Sequence, residues 1–376
     1  MSDNTFSRRR FRRAAALLWF LCVLTGCERE APPQAALQVR DILGEPAQQG
    51  FAQALAPRVF QFPDDHGPHF GFRNEWWYVT GNLSGDDGRR FGFQLTFFRH
   101  QLRPGGEQTG WRAPQVYMAH FALTDVDAGH YHFFERFGRP AAAIAGACTA
   151  PVAVWLDEWR LERDADDVWS LQARAGELQL RLQLHSTLAP VLQGDGGLSR
   201  KSATPGNASY YYSLPQMRAV GDVRDDAGNT HHVTGKAWLD REWSTSALDA
   251  DQAGWDWFAL QLRDGRALML YQLRRNNGGV DPFSYAALIG ADGRSTTLTP
   301  AQWRLTPLAY WHSPSGARYP IKWRLRIDTE GIDWQIGAML PQQWFDGSVK
   351  YWEGAVAITA ENGAGLGEGY LEMTGY

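Results

Sequence analysis

The sequence predicts an all-β protein made of two antiparallel barrels, and three observations carry that expectation. Apolar and polar residues alternate with period 2 in Glu177-Leu178-Gln179-Leu180-Arg181-Leu182-Gln183-Leu184, in Lys322-Trp323-Arg324-Leu325-Arg326-Ile327 and in Val116-Tyr117-Met118-Ala119-His120-Phe121-Ala122-Leu123, the pattern of strands with one face buried. Turn signals recur at hairpin spacing, as in Asp87-Gly88, Asp127-Ala128-Gly129, Asp226-Ala227-Gly228, Asp264-Gly265, Asp292-Gly293 and Glu330-Gly331. A β unit is also duplicated. Asn74-Glu75-Trp76-Trp77-Tyr78-Val79-Thr80-Gly81 runs through Asp87-Gly88-Arg89 into an apolar strand, and Trp255-Asp256-Trp257-Phe258-Ala259-Leu260-Gln261-Leu262 runs through Asp264-Gly265-Arg266 into another. Amphipathic helix signals are scarce, and closure of such sheets removes their aggregation-prone edges.

In chain order, the first element is not part of the fold. Arg8, Arg9, Arg10, Arg12 and Arg13 precede an apolar run from Ala14 to Leu24 that is too short for a permanent membrane span. It ends in Leu24-Thr25-Gly26-Cys27, a lipobox, so residues 1–26 read as a lipoprotein signal and Cys27 as the lipidated mature N-terminus. Ser7-Arg8-Arg9-Arg10-Phe11 also fits a twin-arginine signal. Glu28 after the anchor favours the outer membrane over the inner one, so the expected location is the periplasmic face of the outer membrane. Residues 27–55, with Pro32, Pro33 and Gln34, read as a tether. The two barrels are expected over 56–220 and 221–376, divided after the Gly-rich loop 194–202. That loop lacks the Gly-Lys-Ser/Thr phosphate cradle and reads as a surface loop or as a lid over a barrel mouth.

Loss of the signal removes five arginines and one aspartate, which takes the net charge from −4 to −8. An acidic chain of this kind does not read as a nucleic-acid binder. With Cys22 in the signal and Cys27 as the anchor, Cys148 is left without an internal disulfide partner. The 17 Trp, 19 Phe and 13 Tyr supply walls suited to a long apolar ligand.

Four motifs in order, Asn74 to Gly81, Gly235-Lys236-Ala237-Trp238-Leu239-Asp240-Arg241-Glu242-Trp243, Gly254-Trp255-Asp256-Trp257 and Gly369-Tyr370-Leu371-Glu372-Met373-Thr374-Gly375-Tyr376, resemble those of the AttH and carotenoid 1,2-hydratase (CrtC) superfamily, often labelled predicted secreted hydrolases. The resemblance runs from about Phe60 to Tyr376. It implies two lipocalin-like, calycin-type barrels and an association with ABC-type export systems. The hydratase branch adds water across a terminal alkene. Its Tyr-Trp-Asp-His-Asn-like stretch falls on Trp238 to Glu242, which implies Asp240 as general acid, with Trp238 in place of the tyrosine and Arg241 in place of the histidine.

On the residues alone, Asp240 and Glu242 share one strand face and Arg241 takes the other. A carboxylate pair against indole walls would have a raised pKa, as a general acid needs. The same triplet also reads as a structural ion-pair network, Glu242 with Arg73 or Arg241 with Glu75. Glu75 and Asp256, at matching places in the two units, read first as barrel-closing groups, and Trp76, Trp77, Trp255 and Trp257 chiefly as core, with Trp238 and Trp243 flanking the charged triplet. His66-Gly67-Pro68-His69, with His120 or His231-His232, has only loose metal spacing, so no metal or other cofactor is expected. No Gly-x-Ser-x-Gly elbow occurs, which removes the support for serine hydrolysis. Two function classes follow. One is a membrane-anchored protein that holds a lipid or isoprenoid beside an ABC exporter. The other is an enzyme acting on an apolar alkene or ester through Asp240, with Glu242, Tyr211 or Asp256 nearby. Several carboxyls converging in the cavity would favour the enzyme.

Overall fold

The computed structural model describes residues 49–246 and 248–376. The signal, Cys27 and most of the tether lie outside the described residues.

The first sheet holds thirteen strands. They are β1 (Asn74–Gly85), β2 (Arg90–Gln101), β3 (Gln115–Asp125), β4 (His130–Gly138), β5 (Ala145–Thr149), β6 (Val152–Leu156), β7 (Trp159–Arg163), β8 (Val168–Ala175), β9 (Leu178–Ser186), β10 (Val191–Leu192), β11 (Leu198–Arg200), β12 (Ala208–Arg224) and β13 (Thr230–Ser246). Their order is β4-β3-β2-β1-β13-β12-β9-β8-β7-β6-β5, with β10 and β11 also on β12. The second sheet holds β14 (Gln252–Leu262), β15 (Ala267–Arg275), β16 (Tyr285–Ile289), β17 (Ser295–Leu298), β18 (Arg304–His312), β19 (Arg318–Ile327), β20 (Ile332–Ala338), β21 (Trp344–Asp346), β22 (Lys350–Ala360) and β23 (Gly365–Thr374). Their order is β17-β16-β15-β14-β23-β22-β20-β19-β18, with β21 on β22. Neighbouring strands are antiparallel, as hairpin connections require.

Both sheets curl into near-barrels, which gives the lipocalin-like two-barrel fold. The change of sheet comes between Ser246 and Gln252. The sequence-based division at 220/221 falls inside β12, because β12 and β13 form one long hairpin whose turn signal, Asp226-Ala227-Gly228, lies within the first sheet.

Each barrel is filled by its own side chains. Trp77, Phe93, Phe121, Trp159 and Trp169 belong to the first core, and Phe258, Trp323, Ile336 and Trp352 to the second. A third apolar cluster joins them face to face. Tyr78, Tyr211 and Trp238 of the first sheet meet Trp257, Met269, Tyr271 and Tyr370 of the second. The sheets approach so closely that a Cβ added at Gly92 would stand 2.6 Å from the Ala355 Cβ. Polar bonds cross the seam as well: Asn82 Nδ2 donates to the Gly369 carbonyl at 3.0 Å, and Gln261 Nε2 to the carbonyls of Pro215 and Ala237 at 2.7 and 2.9 Å. These strands are therefore buried on both faces, and the space between the barrels is the place where a site can form.

Candidate active site

Asp240 and Glu242 lie two apart on β13, so both leave the same face of the strand, and that face looks onto the second sheet. Register places Tyr78 and Ser213 beside Asp240, and Trp76 and Tyr211 beside Glu242. Asp240 Oδ1 accepts from the Ser213 hydroxyl at 2.5 Å and the Trp238 indole at 2.7 Å, and Oδ2 accepts from the Tyr211 hydroxyl at 2.6 Å. Trp257 of β14 donates to that same hydroxyl at 3.2 Å. Burial is the main influence on the Asp240 carboxyl. It outweighs the three hydrogen bonds and, with the nearby Glu242, pushes the pKa up to about 7.

Glu242 accepts from the Ser209 hydroxyl and stands 3.1 Å from Lys201 Nζ. Lys201 comes from the Gly-rich loop, and its ammonium lies 4.1 Å from the centre of the Tyr271 ring. Burial disfavours this charge, yet Glu242 and Tyr271 raise its pKa and keep it cationic. The loop is thus folded against the second barrel, with β11 paired to β12.

Two further carboxyls face each other across β22 and β23, Glu353 opposite Glu372. Tyr78 donates to Glu353 Oε1 at 2.5 Å, whereas Glu353 Oε2 is buried with no partner among the described residues. Trp255 donates to Glu372 Oε1 at 2.8 Å. Burial, then the Glu372 charge, hold Glu353 protonated far above the carboxylate range. Burial also lifts Glu372 to about 7, with Asp240 and Glu242 adding to it. Like charges this close do not all ionise at neutral pH. His120 and Tyr351 also border the cavity, in a chain where Oε2 of the half-buried Glu135 meets His120 Nε2 at 2.9 Å and His120 Nδ1 meets the Tyr351 hydroxyl at 2.7 Å. Burial keeps that imidazole neutral despite Glu135.

Asp240, Glu242, Lys201, Glu353, Glu372 and His120 line one cavity of about 380 Å³ between the barrels, whose other walls include Trp76, Trp255, Trp257, Leu248, Leu273 and Met118. The arrangement offers proton donors and acceptors poised near neutral pH in a largely apolar cavity, which is the equipment of general acid–base chemistry.

Other residues singled out in the sequence lie elsewhere. Arg241 points into the first barrel, with its guanidinium 3.8 Å from the centre of the Trp77 ring. It binds Glu75 at 3.1 Å and the carbonyls of Gly67 and Trp76 at 2.5 and 2.7 Å. Burial alone would raise the Glu75 pKa, but Arg99 at 2.5 Å, His69 and Arg241 hold its carboxylate well below the usual range. Glu75 borders the cavity, as does Arg73, while its carboxylate is committed to this floor.

Asp256 does not reach the cavity, which corrects its place among the catalytic candidates. Trp255 and Trp257 on either side face the cavity, so period 2 turns Asp256 away, onto Arg274 at 3.3 Å and the Tyr376 hydroxyl at 2.7 Å. Trp238 meets the site through its indole N–H on Asp240 and packs edge-on against Trp257, and Trp243 lies in the first core stacked on His69 at 3.6 Å. His66 bonds the Tyr212 hydroxyl at 2.6 Å and His69 bonds Asp65 at 3.0 Å, so both are tied into the barrel floor and do not converge with His120.

The AttH-like family model matches residues 53–376. The chain belongs to the AttH-like family. This AttH-like chain is 37% identical to an AttH protein of Nitrosomonas europaea of known structure, at a TM-score of 0.76, over 87% of this chain and all of the other. Kievitone hydratase of Nectria haematococca superposes at a TM-score of 0.64 with 14% identity, over 86% of this chain and 96% of the other. CghA, solved with Sch210972, gives a TM-score of 0.53 with 15% identity, over 87% and 96%. The last two likenesses establish shared fold. No functionally curated protein matches the AttH-like chain.

Sequence reasoning had singled out Asp240, Glu242 and Tyr211 in the AttH-like chain and missed Lys201, Glu353, Glu372 and the role of His120. Glu353 carried a usable signal. It interrupts Tyr351-Trp352-Glu353-Gly354-Ala355-Val356-Ala357-Ile358, a run apolar on both faces, and an acid in a doubly buried strand is either paired or functional.

Proposed function

We propose that this AttH-like protein is a hydratase-type acid–base enzyme that adds water to, or removes it from, a carbon–carbon double bond of a largely apolar small molecule held between the barrels. The observation that carries this reading is the convergence of Asp240, Glu353 and Glu372 on one cavity, each with a pKa lifted to neutrality or above. In the hydration direction, Asp240 gives its proton to one alkene carbon, directly or through Tyr211. Electron-rich walls of Trp76, Trp255 and Trp257 stabilise positive charge on the other carbon. Water adds there and loses a proton to Glu372, and transfer back to Asp240 closes the cycle. Atoms balance as alkene plus water giving alcohol. A hydratase on the same fold agrees with this reading, and the carboxyls carry it.

The same proposal keeps residues 1–26 as an export signal and Cys27 as a lipid anchor at the outer membrane, where an isoprenoid or lipid substrate partitions. An ABC-type exporter is the proposed companion. The test is to purify the chain carrying Cys27→Ser from the periplasm, identify the copurifying apolar compound by mass spectrometry, and incubate it in ¹⁸O-water. Incorporation of one ¹⁸O that disappears in Asp240→Asn is expected. A bound compound that stays unlabelled in the parent protein would replace the enzyme by a carrier.

A further inference from the structure

A second cluster is formed by solvent-accessible side chains of β4 and the β12–β13 turn, and none of its residues lines the cavity. His130 and His132 are two apart on β4, so their rings leave one face of the strand, with centroids 5.8 Å apart. Both turn to the same atom. Asp226 Oδ2, from the β12–β13 turn, stands 3.2 Å from His130 Nδ1 and 3.3 Å from His132 Nε2. The three donor atoms lie within 4.8 Å of one another.

Tetrahedral coordination with bonds of about 2.0–2.1 Å sets neighbouring donors about 3.3 Å apart. The two nitrogen-to-oxygen separations are close to that edge. The two imidazoles and one carboxylate form a donor set that suits zinc and its neighbours over calcium or magnesium. The side chains are 54%, 28% and 42% exposed for His130, His132 and Asp226, which leaves the fourth position open to water.

The ligand-bearing segments are also held in place independently of the ligands. Arg89, from the β1–β2 turn, bonds Asp125 at the end of β3 and Asp225 beside Asp226, the latter at 2.9 Å. His231 reinforces the same turn through Asp225 at 3.1 Å and Asp87 at 2.7 Å. The spacing between the β3–β4 and β12–β13 turns is thereby fixed before any ion arrives, which lowers the ordering cost of binding.

We propose that His130, His132 and Asp226 form a surface site for one zinc-class divalent cation, which clips the edge strand β4 to the β12–β13 turn. β4 has a sheet neighbour on one side only, so the clip acts where the sheet is least restrained.

The test uses the tag-free chain carrying Cys27→Ser, stripped with a chelator and titrated with zinc by calorimetry, alongside His132→Ala and Asp226→Asn. The expected result is one zinc per chain, a higher melting temperature with zinc, and a loss of affinity of roughly tenfold or more in each variant. Because these side chains are exposed, the metal-free melting temperature of both variants stays at the parent value, which excludes misfolding as the cause. Absence of stoichiometric binding, or binding equal in parent and variants, would overturn the site.

Discussion

At the residue scale, Asp240 shows how a single burial decision creates chemistry. Its three donors, Ser213, Trp238 and Tyr211, would favour the carboxylate, and removal from water outweighs them, so the group titrates near 7 where a free aspartate does so at 3.8. A folded pKa raised above the unfolded one contributes stability that is fully present below about pH 4 and is lost as pH rises through 7. Asp240→Asn lacks this dependence. Its melting temperature relative to the parent should climb between pH 4 and 7 and level off above, which a thermal series across that range measures. Activity needs the protonated acid, so the parent's turnover should fall above pH 7, and Asp240→Asn should lose about 10²–10⁴-fold. Glu353 stays protonated in the fold, so by the same linkage Glu353→Gln, a neutral isostere, should match the parent's melting temperature below the ordinary carboxylate pKa of 4.5 and exceed it as pH rises above that value, while reducing turnover. Equal turnover in parent and Glu353→Gln would remove Glu353 from the reaction.

At the element scale, β13 serves two masters because its side chains alternate. Asp240 and Glu242 look into the cavity, and Arg241 between them reaches the floor of the first barrel, where Glu75 at 3.1 Å and the Trp77 ring hold it. Arg241→Ala leaves the Glu75 charge to Arg99 and His69 in a dry setting, at an expected cost of about 3–5 kcal/mol. A shifted denaturant midpoint with retained ligand chemistry in the surviving folded fraction would separate this structural role from a catalytic one. β2 makes a different demand. Gly92 lies against Ala355 of the other barrel, and the 2.6 Å approach of an added Cβ leaves no room for a side chain. Gly92→Val should therefore destabilise by about 1–3 kcal/mol through overpacking, read as a lower urea midpoint.

At the scale of the whole molecule, the two barrels are solid and the functional space is the seam between them. Leu273→Trp, which fills the seam from the β15 side, should abolish ligand copurification while both barrel cores, which do not include Leu273, keep the protein folded. The sequence by itself determined the strands, the hairpin turns, the duplicated Trp unit and the two-barrel class, because period-2 alternation and Asp-Gly turns are local properties of the chain. It also determined that Asp240 and Glu242 share a face, which follows from their spacing. Only the tertiary structure decided that this face meets the second barrel, that Glu353 and Glu372 stand opposite it, that Lys201 returns from the loop to pair with Glu242, and that Asp256 is turned away. Those facts depend on which side of each doubly buried strand the other sheet covers, and an apolar strand looks the same in sequence from either side. The raised carboxyl pKa values follow from that choice, since desolvation belongs to the assembled seam and to no single segment of the chain.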